Sequence, residues 1–137
     1  MSSTLRSTPL SGGRYEPGVC NIGPDEIARR RMAGHVGLVA SVVVLAGLLI
    51  VGAPAWTRLI LIVTAGGSAS GYLQAFFHFC AGFGSRGVYN LGPVGTVEPV
   101  VDAEDRSRDR RRSLQIGLAS LAVGLVVGVV AALLPVG

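Results

Sequence analysis

The chain contains no lysine and little charge of any kind. All 12 basic residues are arginine, and charged residues make up 15% of the sequence, against about 25% in an ordinary soluble domain. That shortage excludes a conventional soluble surface. An arginine-only basic set reads as high-GC coding rather than as chemistry. Aromatics are scarce at 6% while glycine reaches 20 residues, a balance foreign to a soluble core and suited to close-packed transmembrane helices. No apolar run precedes His35, too late for a cleaved secretory signal. There is no N-terminal myristoylation pattern and no C-terminal prenylation box. No apolar segment leads into Cys20, which argues against a lipoprotein cysteine. No catalytic motif is visible. The glycine-rich stretch at 82–87, GFGSRG, does not follow a strand and does not fit a dinucleotide-binding fingerprint.

What is present is three long apolar runs. Residues 57–79 are the run the chain is organised around, long enough to cross a hydrocarbon core of about 30 Å as a helix. It holds no acidic residue, and Arg58 and His78 stand near its ends. Its middle is Gly66-Gly67-Ser68-Ala69-Ser70-Gly71, followed by Gln74. In water such glycines disfavour a helix; in lipid they mark a face where another helix packs closely. Gly67, Gly71, Gln74 and His78 recur at helical spacing and are expected on one face, with Gln74 hydrogen-bonded inside the bundle. Residues 35–52 form the first run, where Ala33, Gly37 and Ser41 make a small-residue ridge. Residues 116–136 form the last, with Ser120, Gly124, Gly128 and Ala132 as a second ridge and Gly124–Gly128 an explicit GxxxG. No span core carries Asp, Glu, Arg or Lys, which speaks against a standalone pump or channel.

The remaining segments are expected as follows. Residues 1–19, rich in Ser, Thr, Gly and Pro, read as a disordered tail. Residues 20–34 read as a cytoplasmic or interfacial helix starting near Pro24, either lying at the interface or running straight into the first span, with Asp25 and Glu26 in its first turn and Asn21 and Gly23 making a turn before it. Arg29, Arg30 and Arg31 fall at the lipid headgroups. Residues 35–79 form the transmembrane hairpin, turning at 52–55 with Trp56 at the boundary. Residues 80–114 read as a Gly-rich and charged linker, in which Asp102–Arg106 and Glu104–Arg108 are candidate ion pairs at i,i+4. Residues 115–137 are the third span. The expected fold is all-α: an integral membrane protein with three transmembrane helices, the first two a tight antiparallel hairpin. Arginine counts place the N-terminus and the linker inside and the C-terminus outside, in a bacterial plasma membrane.

The same topology puts Cys20, His78 and Cys80 on one side. A metal site, a thiol pair and two unrelated thiols all remain open. A Cys-His-Cys set lacks the usual fourth ligand of structural zinc, which Asp25 or Glu26 would have to supply. A reducing cytoplasm disfavours a permanent disulfide. His35 reads as an interfacial histidine or a proton-responsive group.

The hairpin closes in F-x-x-F-C at Phe76 to Cys80, with Gly82 shortly after. In this it resembles the small YgaP-like transmembrane hairpins of bacteria, over residues 35–84. The resemblance implies a two-span hairpin. Those hairpins carry Pro after the Cys, where this chain has Ala81, and no catalytic residue carries over. The expected function is non-enzymatic: a small membrane subunit or scaffold packing against other membrane helices, or against itself, in the lipid bilayer. No cofactor and no nucleic-acid partner are expected, because the arginines flank apolar spans. The alternative is thiol-based redox or sulfur handling by Cys20 and Cys80. A third option is a transporter component lined by Ser68, Ser70 and Gln74.

Overall fold

A computed structural model describes residues 14–135. Helix α1 runs Pro24–Ile50. It begins where the sequence places it: Gly23 is extended, Pro24 occupies the first turn where its missing N–H costs nothing, and Asp25 and Glu26 follow at the positive end of the helix dipole. It ends at Val51 and Gly52, whose φ of 72° only glycine adopts without strain. The Gly52 and Ala53 amides then bond back to the Leu49 and Leu48 carbonyls, at 3.3 and 3.0 Å.

Pro54 opens a short 3-10 helix, Ala55–Ile60, which feeds directly into α2, Leu61–Phe77. Helix α2 stops at His78, which takes the left-handed conformation at φ 57° and costs roughly 1–2 kcal/mol for a residue with a Cβ. A short helix α3, Ala81–Arg86, is followed by a two-stranded antiparallel ribbon of β1, Val88–Tyr89, and β2, Glu98–Pro99. Helix α4 then runs without a break over Ala103–Leu133, its first amides capped by the Asp102 side chain bonding Glu104 at 2.9 Å. Among the described residues, three helical segments are long and apolar enough to cross a membrane: α1, the joined stretch Ala55–Phe77, and α4.

Helix α2 lies in the middle and carries both main seams. Toward α1, Gly34 faces Gly71 and Tyr72, and Gly37 faces Ser68, numbers rising along α1 as they fall along α2. A Cβ on Gly71 would sit 2.6 Å from the Gly34 nitrogen, so the two backbones touch. The Ser68 hydroxyl crosses the seam to the Gly34 carbonyl at 2.7 Å. Toward α4, Gly124 lies against the Ile62 carbonyl and Gly66, and Gly128 against Ile62. Arg58, buried, donates from Nη1 to the carbonyls of Ala131 and Leu134 at 3.0 and 3.2 Å. That places a cation at the negative end of α4.

Several expectations change. Residues 80–114, read as a Gly-rich and charged linker, hold α3, the ribbon and the first turns of α4. Of the tail expected over 1–19, residues 1–13 lie outside the described residues. Tyr15 to Cys20 forms a turn with the Cys20 amide bonded to the Glu16 carbonyl at 2.9 Å. Arg106 does not pair with Asp102; it donates to the Val100 and Val101 carbonyls. Glu104 and Arg108 do pair, at 3.1 Å, with both side chains exposed, a contact worth little. Gly67, on a face expected to pack against the first span or a partner protein, meets nothing within the described chain.

Candidate functional site

The densest chemistry lies at the arginine-rich end, where the segment before α1 meets the α2–α3 junction and β1. Asn21 is fully buried. Its Nδ2 donates to the Cys80 carbonyl at 3.2 Å and its Oδ1 accepts from the Cys80 amide at 2.7 Å. Its own amide donates to the His78 carbonyl at 3.1 Å. One asparagine thus pairs with the turn after α2 as a strand would. On its other side the Asn21 carbonyl accepts the Asn90 amide, and the Asn90 carbonyl accepts the Gly23 amide, both at 2.9 Å. Gly23 has to be glycine here, because a Cβ would sit 2.5 Å from the Leu91 carbonyl oxygen.

Asn90 is the second anchor. Its Nδ2 donates to Glu26 Oε2 at 3.1 Å and to the Pro93 carbonyl at 2.8 Å, while its Oδ1 accepts from the Gly92 amide and the Thr96 hydroxyl. Glu26, 1% exposed, accepts Arg30 Nη1 at 2.9 Å through its other oxygen. Arg30 Nη2 reaches Cys80 Sγ at 2.8 Å, and its guanidinium lies 5.5 Å from the Phe83 ring centre. The Phe83 amide adds a second donor to the same sulfur at 3.4 Å. The chain Asn90–Glu26–Arg30–Cys80 is therefore a continuous network in which each group is paired, buried except at the half-buried Arg30. In such networks removal of one charged partner costs about 3–5 kcal/mol.

A third anchor sits beside it on α4. Asp109, fully buried, accepts the Tyr15 hydroxyl at 2.6 Å and the Gly18 amide at 2.7 Å. Arg112 Nε returns a bond to the Gly18 carbonyl at 3.0 Å, and Tyr15 stacks on Tyr89 at 4.6 Å. Burial, then the Asp109 carboxylate, pushes the Tyr15 phenol well above its ordinary range. Burial also raises Tyr89 and the Cys20 thiol.

The three residues expected to share a site are separated in role. Cys80 is buried within the network and Cys20 is half-buried, its thiol directed to the Ile22 carbonyl at 3.6 Å; both are free thiols. His78 is exposed at the surface and contributes its backbone carbonyl. Among the described residues, no group of three or more His, Cys, Asp or Glu side chains is assembled to hold a metal ion. Gln74 accepts the Ala81 amide at 2.8 Å and donates to the Ser70 hydroxyl and carbonyl, closing the end of α2. Ser41 bonds its own helix at the Gly37 carbonyl.

Asn90, Asp109 and Tyr15 carry the network without a sequence signal, because each works through a partner distant in the chain. The Glu26–Arg30 pair was readable from its i,i+4 spacing. The chain matches no protein-family model, no curated protein and no solved structure.

Proposed function

We propose that the chain is a small non-enzymatic protein of a bacterial plasma membrane. Its three helices cross the bilayer, the first two as a tight antiparallel hairpin, and it serves as a subunit that another membrane helix packs against. The arginine-rich end faces the cytoplasm by the positive-inside rule. The observation that carries the reading is Gly67. Gly71, Gly66, Gly124 and Gly128 each sit against a neighbouring helix of the same chain, whereas Gly67 opens onto empty space in mid-helix. Such a glycine costs helix propensity of about 1 kcal/mol and returns nothing inside the chain. In lipid, an open glycine is where a partner backbone approaches. The test is purification of the full chain in mild detergent. The wild type is expected to run with a second copy or with another membrane protein. Gly67→Leu is expected to run alone with its melting temperature unchanged. A wild type that runs only as a lone monomer overturns the reading.

A second reading, thiol chemistry at Cys80, is favoured by the two N–H donors on its sulfur, one of them the Arg30 guanidinium. Here Cys20, which shares Ile22 as a neighbour, is the second thiol. Treatment with hydrogen peroxide is then expected to convert both thiols into one disulfide, the peroxide being reduced to water. Either Cys→Ser variant is expected to form none. Two thiols that both remain titratable in peroxide-treated wild type sink this reading.

A further inference from the structure

Because α2 holds both seams, the third edge of the three-helix arrangement is open. Between α1 and α4, over α2, runs an apolar groove of about 450 Å³ whose walls include Leu38, Val42, Ala65, Tyr72, Val123 and Val127. That volume lies within the roughly 300–1,000 Å³ of small-molecule pockets. A smaller concavity of about 200 Å³ is lined by Leu73, Phe77, Arg112, Gln115 and Ala119. Its walls succeed those of the groove by single helical turns, Leu73 after Ala69 on α2 and Ala119 before Val123 on α4. The two hollows share no lining residue and follow one another along α2 and α4, a track running toward the arginine-rich end.

The track is apolar along its length and cationic at its head. Arg112 lines the head, with its guanidinium 5.3 Å from the Phe77 ring centre. On α1, Arg31, His35, Leu38 and Val42 follow at steps of four, three and four, so Arg31 and His35 continue the groove wall upward on the same stripe. His35 Nδ1 and the Tyr72 hydroxyl, 2.6 Å apart, bridge the rim from α1 to α2. Arg31 to Leu45 covers about 21 Å at 1.5 Å per residue, the reach from headgroup depth to past mid-membrane.

We propose that this track is a binding site for an anionic phospholipid, one acyl chain lying in the groove and the phosphate held by Arg112 and Arg31 beside the His35–Tyr72 pair. The proposal rests on the membrane reading above. A fourth helix is disfavoured as occupant. A helix with side chains is about 10–12 Å across, and its backbone approaches most closely over glycine. The glycines at Gly34, Gly37, Gly66, Gly71, Gly124 and Gly128 are occupied by internal seams, and the open mid-helix glycines, Gly47, Gly67 and Gly117, do not line the groove, whose small residues are Ser41, Ala65, Ser68 and Ala69. Gly67, the docking position proposed above, stands about 200° around α2 from Ala65 and Ala69, on the opposite face.

The test is native mass spectrometry of the full, delipidated chain with phosphatidylglycerol and phosphatidylcholine bearing identical acyl chains. The wild type is expected to retain phosphatidylglycerol over phosphatidylcholine by about fivefold or more. Arg31→Gln and Arg112→Gln are each expected to reduce that preference by several-fold, and Arg112→Lys to keep it. Val42→Trp and Val123→Trp, both at exposed wall positions that fill the groove, are expected to lose both lipids. Equal retention of the two lipids, or binding unchanged by either tryptophan, overturns the proposal. So does release of a co-purifying protein rather than lipid by those tryptophans, which assigns the groove to a helix. A prior alkaline carbonate wash separates the two levels. A chain that washes out of the membrane fraction refutes the membrane reading itself, while a chain that stays and shows no lipid preference refutes this site alone.

Discussion

Tyr15 shows how much one side chain does at the arginine-rich end. Its hydroxyl donates to a carboxylate with no exposed surface, at 2.6 Å, so loss of that proton would place two anions in contact. Folded Tyr15 therefore keeps its proton above the ordinary phenol value of 10.0, burial being the largest cause and Asp109 the next. The unfolded chain releases that proton first. The contribution of Tyr15 to stability is thus complete below that value and declines as pH rises above it. Tyr15→Phe is expected to flatten the fall in stability on the alkaline side and to cost about 1–3 kcal/mol near neutrality, because Asp109 loses a donor in a buried place. Chemical denaturation followed at pH of about 8 and about 11 checks both. A slope identical to wild type would show that the Tyr15–Asp109 bond is not formed in solution. Tyr89 and the Cys20 thiol are raised in the same sense and contribute to the slope that remains.

At the scale of elements, the three long helices were legible because hydropathy and small-residue spacing are local properties. Gly124 and Gly128 were readable as a packing pair, and they lie against Ile62 and Gly66 of α2. The face of α2 was harder. Gly67 and Gly71 are four apart and share a wheel position, yet Gly71 touches the Gly34 backbone while Gly67 is open. Contact passes along α2 from Gly71 to Ser68, three residues away, which leaves Gly67 beside the seam rather than in it. Ser68 makes that next contact, with Gly37 and the Gly34 carbonyl. Substitutions separate the two positions. Gly71→Ala is expected to cost about 1–3 kcal/mol, since the added methyl meets backbone on both sides. Gly67→Ala is expected to stay within about 1 kcal/mol of wild type, the size of the propensity difference alone. Unfolding in mixed detergent micelles measures both, and equal costs at the two positions would contradict the seam.

At the scale of the whole molecule, the arginine-rich end is held by a strap, residues 15–22, laid across elements far apart in the chain. Asn21 binds the Cys80 backbone 59 residues away and Asp109 binds Tyr15 94 residues away. These partners explain why residues 80–114 read as a linker: glycine and charge are visible locally, whereas the groups that order them come from the other end of the sequence. The ends of the molecule are also unequal. The strap, the ribbon and α3 close one end, and at the other Arg58 on the α4 terminus is the main polar tie described. If the strap acts as one unit, freeing it at either anchor releases the other. Asn21→Ala leaves the Cys80 amide and carbonyl without their partners, and Asp109→Ala leaves the Tyr15 hydroxyl and Gly18 amide without theirs, each at about 1–3 kcal/mol per orphaned group. The double variant is expected to cost less than the sum of the two by about 0.5–3 kcal/mol, because the second substitution acts on a segment already detached. Equilibrium unfolding of the four proteins in the same detergent gives the coupling directly. Strict additivity would mean that Asn21 and Asp109 fasten independent pieces, and that the strap is two contacts rather than one element.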